Sequence, residues 1–379
     1  MVGLLLALAS GVGWFALRSR RLDEPANLAL AKASRPAPKT PDASAEASGA
    51  EGLPARLKKL EQRFAILPSS DDAHSTVAEM NNALLAAPRI EAVAALLVLL
   101  DSGADAPTGL IFKVGLGGDL VGAPTLRVWM LDQLGRLDVA AAARYAARIY
   151  ARHDSADEWA VALRNDWREA APAGRIEAVR ARALELLADM EWAKQPSIGF
   201  LEALDVTVAT MAWEAVPRLE QWLDPAQPKA LRLGAWVALD RLTMEVPQDF
   251  LPVLVQHREW LASQPLLRAG LMARADLGAA RERQAAETYL QRDDITTPEG
   301  NRFFELLPNV SATVSHNLVT TARAPTPQQA ARLDQAALAG VREWRAQRRF
   351  SRWNVDLTTA ELRLAESVAS AVRGGYLQP

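Results

Sequence analysis

The segment from Gly109 to Arg127, GLIFKVGLGGDLVGAPTLR, comes nearest in this chain to a phosphate-binding loop. Gly115, Gly117, Gly118 and Gly122 stand between Lys113 and a helix start at Pro124. Such turns cradle phosphate when backbone N–H groups converge and a lysine stands at the helix entrance. The pattern fails here. Gly118 and Gly122 are too close for a P-loop, and Ala123-Pro124 takes the place of Lys-Ser or Lys-Thr. The run Gly115-Leu116-Gly117-Gly118-Asp119-Leu120 ends on leucine where a dinucleotide fingerprint needs glycine. The four glycines are therefore expected to form a hinge loop. The alternative is an anion held by the open N–H groups of the next helix.

A second candidate is VREWRAQRRFSRW, from Val341 to Trp353. Arg342, Arg345, Arg349 and Arg352 recur at intervals of 3, 4 and 3. On one continuous helix this spacing makes a basic stripe, next to an apolar stripe of Leu333, Ala337, Val341 and Trp344. Such a face suits an anion, a lipid surface or a protein partner. The bland alternative is a solvated helix end, where arginines oppose the negative pole of the helix dipole. Nucleic acid is not an expected partner, since the net charge is only -2.

Other chemistries find little support. The absence of cysteine excludes thiolate nucleophiles and cysteine-ligated metal sites. His74, His153, His257 and His316 are far apart, with no i, i+4 pair to hold a metal. The carboxylate doublets Asp71-Asp72 and Asp293-Asp294 point about 100° apart on a helix, so neither makes a catalytic pair by itself. No G-x-S-x-G or H-E-x-x-H motif occurs. No cofactor, metal or catalytic residue is expected. Eleven tryptophans against four tyrosines are unusual. Trp129, Trp213, Trp222, Trp236 and Trp260 fall in helical patterns and are expected to pack inside, although tryptophan faces also line carbohydrate clefts.

The elements that would position these groups are helices. Residues 1–17 hold an uncharged run, Val2 to Leu17, succeeded by Arg18, Arg20 and Arg21. A 16-residue helix spans about 24 Å against a hydrocarbon core of about 30 Å, enough with snorkelling arginines. This predicts a membrane anchor. A cut after Ala7-Leu8-Ala9 would leave too short an apolar region for a cleaved signal peptide. The charges place residue 18 onward in the cytoplasm, beside a bacterial inner membrane, or in the periplasm if a basic segment precedes Met1. Residues 18–52, rich in Pro, Ala and Ser, read as a flexible linker.

Residues 53–379 read as helical throughout. Stripes of period 3.6 include Leu126, Met130, Leu134 and Leu137, and also Ile176, Val179, Ala183, Leu187 and Met190. No alternating β run appears, so no sheet of three or more strands is expected. Pro88, Pro124, Pro196, Pro228, Pro265, Pro298 and Pro327 each precede an apolar run, as suits proline at a helix start. Ser155–Glu158, Thr326–Gln329 and Thr358–Glu361 fit the capping box. With Ser155 included, the starts from Pro88 to Pro327 are 29 to 41 residues apart, the period of helix-pair repeats.

The segment VPRLEQWLDPAQPKALRLGAWVALDRL, Val216 to Leu242, resembles a HEAT repeat joint. Val216, Leu219 and Leu223 face inward from a first helix, Asp224-Pro225 turns, and Ala235, Ala238, Leu239 and Leu242 face inward from a second. Pro124 to Leu137 resembles half a repeat. The resemblance implies an all-α, curved α-solenoid with a concave binding face and no catalysis. The function expected on this basis is a membrane-tethered scaffold or adaptor for a protein or peptide. The alternative is an all-helical enzyme acting on a polysaccharide such as a cell-wall glycan.

Overall fold

Proline and serine punctuation sets the register of the fold. In this computed structural model, residues 52–64, 70–312, 315–322 and 324–378 are described. They form seventeen α-helices and two two-stranded antiparallel hairpins, so the chain is all-α in class. The N-terminal helices are α1 (Leu53–Phe64), α2 (Ser70–Ala86) and α3 (Arg89–Asp101). A hairpin of β1 (Lys113–Val114) and β2 (Leu120–Gly122) leads to α4 (Leu126–Leu137), α5 (Val139–Arg152) and α6 (Ala156–Ala170). Next come α7 (Glu177–Ala188), α8 (Met190–Lys194), α9 (Ile198–Ala209), α10 (Val216–Trp222) and α11 (Lys229–Glu245). After them stand α12 (Pro247–Gln256), α13 (Pro265–Met272), α14 (Ala280–Leu290) and α15 (Thr297–Leu306). A second hairpin, β3 (Ser315–His316) and β4 (Thr321–Ala322), precedes α16 (Pro327–Arg345) and α17 (Asn354–Arg373). The expected anchor at 1–17 and all but the last residue of the linker at 18–52 lie outside the described residues. No described helix is long and apolar enough to cross a membrane.

Eight helices make contact in succession: α3, α4, α6, α9, α11, α13, α15 and α17. The sequence markers open seven of them. Pro88 and Pro228 are the N-cap residues of α3 and α11, and Ser155 caps α6 through its hydroxyl. Pro124 and Pro196 each precede a capping residue, Thr125 of α4 and Ser197 of α9. Pro265 and Pro298 stand in the first turns of α13 and α15. Pro327 opens α16, outside this row, behind a complete Thr326–Gln329 capping box. The intervening helices pack against the row at several points, with α5 on α4 and α6, α7 on α6 and α9, and α10 and α12 on α11.

Polar ties, buried or part-buried, join each row helix to the next. Arg127 of α4 forks onto Glu158 of α6 at 3.0 and 3.2 Å, and donates to the Leu100 carbonyl of α3 at 3.0 Å. Arg164 of α6, with no solvent exposure, pairs with Asp132 of α4. Asp157 of α6 accepts from Ser197 and from the Gly199 N–H of α9. Asp205 of α9 pairs with Arg241 of α11 at 3.1 Å. Asp240 of α11 accepts two bonds from Arg274, just past α13, at 2.6 and 2.9 Å. Arg268 of α13 forks onto Glu299 of α15 at 2.8 and 3.2 Å. Arg363 of α17 donates to the Phe304 carbonyl of α15 at 3.1 Å. The five arginine–carboxylate ties span 31 to 36 residues of sequence, the period the helix starts announce.

Burial opposes the charge of Arg127 and of Arg268, but bonding to Glu158 and Glu299 outweighs it and raises both guanidinium pKa values. At Arg164 burial wins over Asp132 and the direction is down. Fork-to-fork geometry favours arginine at such positions, because two parallel N–H···O bonds fix angle as well as distance.

Between the ties the core is apolar, and most of the residues expected to face inward at 216–242 do so, while Leu223, just past α10, is half-buried. Val216, Leu219, Leu231, Ala235, Ala238, Leu239 and Leu242 are all buried. Four expectations need correction. Helix α4 is not a one-striped helix: every residue from Leu126 to Gly135 is buried, because α3, α5, α6 and β2 surround it. Met190 leaves its stripe, since α7 ends at Ala188 and Met190 is exposed at the start of α8. The Ser155–Glu158 box is half formed, because the Glu158 side chain goes to Arg127 instead of the cap. Thr358–Glu361 lies inside α17, where Thr358 bonds back to the Asn354 carbonyl.

Removing one partner of a buried, forked ion pair strands the other charge. Arg127→Met is therefore expected to destabilise by about 3–5 kcal/mol, while Arg127→Met combined with Glu158→Leu recovers most of that loss. Chemical denaturation of the single and double variants measures it, and additive losses would contradict a pairwise tie. Leu239→Ala, in the fully buried joint, should cost about 2–5 kcal/mol in the same assay.

Candidate functional site

The glycine loop and the second hairpin meet. The Gly118 position lies against the backbone of Leu318, where any Cβ would collide with the Leu318 carbonyl oxygen. Gly117 and Gly118 both have φ near +75 to +80°, which glycine adopts without strain. Gly115 faces the Val121 side chain and Gly122 the Ile111 carbonyl, each too closely for any Cβ. The four glycines thus allow a tight hairpin and a close docking.

Three arginines fasten that hairpin. Arg164 donates to the Gly118 carbonyl at 2.8 Å, Arg168 to Gly117 at 2.7 Å and Arg136 to Leu120 at 2.8 Å. Arg168 also lies 2.9 Å from Asp119, and the Leu120 N–H donates to Asp132 at 3.0 Å. The loop therefore presents carbonyl oxygens to cations, the reverse of a phosphate cradle. It is pinned to α4 and α6, which does not fit a free hinge. At the N-terminus of α4 the anion is internal: Asp105 accepts from the Arg127 N–H at 3.0 Å, and Thr125 caps Val128.

Asp205 holds the second hairpin. Its carboxylate accepts from the N–H groups of Val319 and Thr320, both at 2.8 Å, from the Thr320 hydroxyl, and from Arg241. Beside it lies a groove of about 310 Å³ between α9 and α11. Leu201, Leu204, Val208, Leu233 and Val237 give it an apolar wall, and Glu202, Asp205, Arg241 and Asn317 give it a polar head. Glu202 has no hydrogen bond or ion pair among the described residues, and its carboxyl is raised to about 7. Burial is the main cause, and Asp205 adds to it against the opposing pull of Arg241. A carboxyl so perturbed, in a groove and next to a specific charge, marks a candidate site.

The four expected arginines do not share one helical stripe. Helix α16 ends at Arg345, and Arg348–Trp353 winds as a 3₁₀ turn. Arg342 and Arg345 both pair with Glu361, and Arg349 bonds Glu287 at 2.8 Å. Arg352 donates to the carbonyls of Arg292 and Ile295 and stacks over Trp353. Each guanidinium thus has a partner within the fold. Of the tryptophans, Trp129, Trp222 and Trp260 are buried and Trp213 is half-buried, but Trp236 is 39% exposed on α11. The expectation that it packs inside fails because its direction on α11 points away from Ala235, Ala238 and Leu239. Glu202 belongs to none of the motifs legible in the sequence. The i, i+3 pair Glu202–Asp205, set in the apolar run of α9, is the signal that could have found it.

The pKa of Glu202 has a stability consequence of definite sign. A carboxyl raised from 4.5 to about 7 by folding costs stability as pH rises through that window, and the whole cost is present above it. Glu202→Gln should therefore raise stability by about 1–3 kcal/mol near pH 8 and leave it unchanged near pH 4. Melting temperatures at the two pH values test this, and a loss of stability near pH 8 would contradict it. By contrast, Arg349→Glu removes a half-exposed pair with Glu287, so the loss should stay within about 1 kcal/mol.

Comparison with known proteins finds no matching protein family, curated protein or solved structure.

Proposed function

We propose that residues 53–379 form an α-solenoid of HEAT-like helix pairs, tethered to a membrane through residues 1–17. On this reading the protein is a non-catalytic scaffold or adaptor for a protein or peptide partner. One observation carries it: successive helices of the row are tied at the interval of one helix pair, and an apolar groove stays open between two of them. Repeat proteins bury a continuous core by stacking such pairs and use the surface along the stack for binding.

The rival reading, a polysaccharide-cleaving enzyme, draws support from Glu202, whose raised carboxyl suits a general acid. Glycoside cleavage needs a second carboxylate on the substrate. Asp205, the other acid lining the groove, is occupied by three hairpin donors and Arg241. The scaffold reading is therefore preferred.

Two assays on the full-length chain test the proposal. Deleting residues 1–17 should move the protein from the membrane to the soluble fraction, and a full-length protein that is already soluble, uncleaved and detergent-free would remove the tether. Incubation with cell-wall glycan should release no new reducing ends. Turnover that Glu202→Gln abolishes would replace the scaffold with the enzyme.

A further inference from the structure

The groove between α9 and α11 combines three features. Its wall is apolar, and Leu233 at that wall is 59% exposed, with Trp236 exposed on the same helix. Its head bears an unengaged carboxylate, Glu202. Its lining charge is unbalanced: two carboxylates, Glu202 and Asp205, face one cation, Arg241, which already pairs with Asp205. By comparison, the larger depression beside Arg274 and Glu282 has both groups engaged within the fold, Arg274 with Asp240 and Glu282 with the Asp276 N–H.

We infer that this groove docks a peptide segment of a partner protein, with an apolar side chain lying against Leu233 and Val237 and a neighbouring lysine or arginine pairing with Glu202. The inference rests on the scaffold reading and names its contact. The volume, about 310 Å³, is at the lower end for ligand pockets and suits one or two side chains instead of a whole cofactor. Charge complementarity selects the occupant. Burial and Asp205 hold Glu202 partly protonated near neutral pH, so an incoming cation supplies the counter-charge that the fold withholds. Asp205 cannot serve instead, since its oxygens already hold the hairpin and Arg241. An acidic peptide would meet the carboxylates of Glu202 and Asp205, and a purely apolar one would leave Glu202 desolvated without a partner.

The test uses fluorescein-labelled synthetic dodecapeptides with two leucines flanking a central lysine, and a matched set with glutamate in place of that lysine. Full-length protein should bind the lysine set at least about tenfold more tightly than the glutamate set. Glu202→Gln should weaken lysine-set binding about tenfold, and Glu202→Lys should reverse the preference. Leu233→Ala should weaken both sets with little change in melting temperature, because the side chain is already exposed. Equal binding of the two sets, no binding of either at about 1 mM, or indifference to Glu202→Lys would overturn the inference. A partner cross-linked elsewhere on the chain, with no peptide preference at the groove, would overturn this site and leave the scaffold reading standing. Glycan turnover would overturn both.

Discussion

The pairing of an arginine on or beside one row helix with a carboxylate on its neighbour, found at four of the seven contacts along the row, is the constraint that organises this fold. Apolar side chains alone would let neighbouring helices slide, since leucine against leucine is nearly as good one turn away. A forked pair such as Arg127–Glu158 or Arg268–Glu299 has no equally good alternative register. Buried ion pairs gain little stability over apolar packing of the same shape, and their use here fits the view that they specify arrangement. The cost of a misplaced helix is a stranded buried charge, several times larger than the benefit of a correct tie.

The same ties place the candidate site. Arg164 spans from Asp132 to the glycine hairpin, and Asp205 spans from Arg241 to the second hairpin. The two β-hairpins of the otherwise helical described residues are thus anchored by groups that also set helix register. Because Asp205 is committed to both tasks, the charge of Glu202 one turn earlier has no cation to itself. An unbalanced carboxyl at the head of an apolar groove is a by-product of the architecture, and the proposed partner contact makes use of it.

Much of the helical frame was legible in the sequence, because proline and serine act locally: Pro88, Pro124, Ser155, Pro196, Pro228, Pro265 and Pro298 each mark a row helix through backbone chemistry that needs no tertiary context. The joint at 216–242 was legible for the same reason, its alanines and leucines falling at helical spacing. Three things were hidden. Arg127 and Arg164 look like solvated charges until Glu158 and Asp132, 31 and 32 residues away in sequence, are brought alongside. The basic stripe assumed that α16 continues past Arg345, and a 3₁₀ turn breaks it. Glu202 has a distinctive environment only because α11 and the hairpin at 315–322 close over α9, a contact separated by more than one hundred residues of sequence.

Native-state hydrogen exchange on the Arg268→Met variant tests the central claim most directly. In the proposed stack of helix pairs each unit depends on its neighbours, so cutting the Arg268–Glu299 tie should lower amide protection in α13, α15 and the helices touching them while α3 and α4 keep theirs. A uniform loss of protection from α3 to α17, or no loss at α13 and α15, would contradict an architecture held together tie by tie.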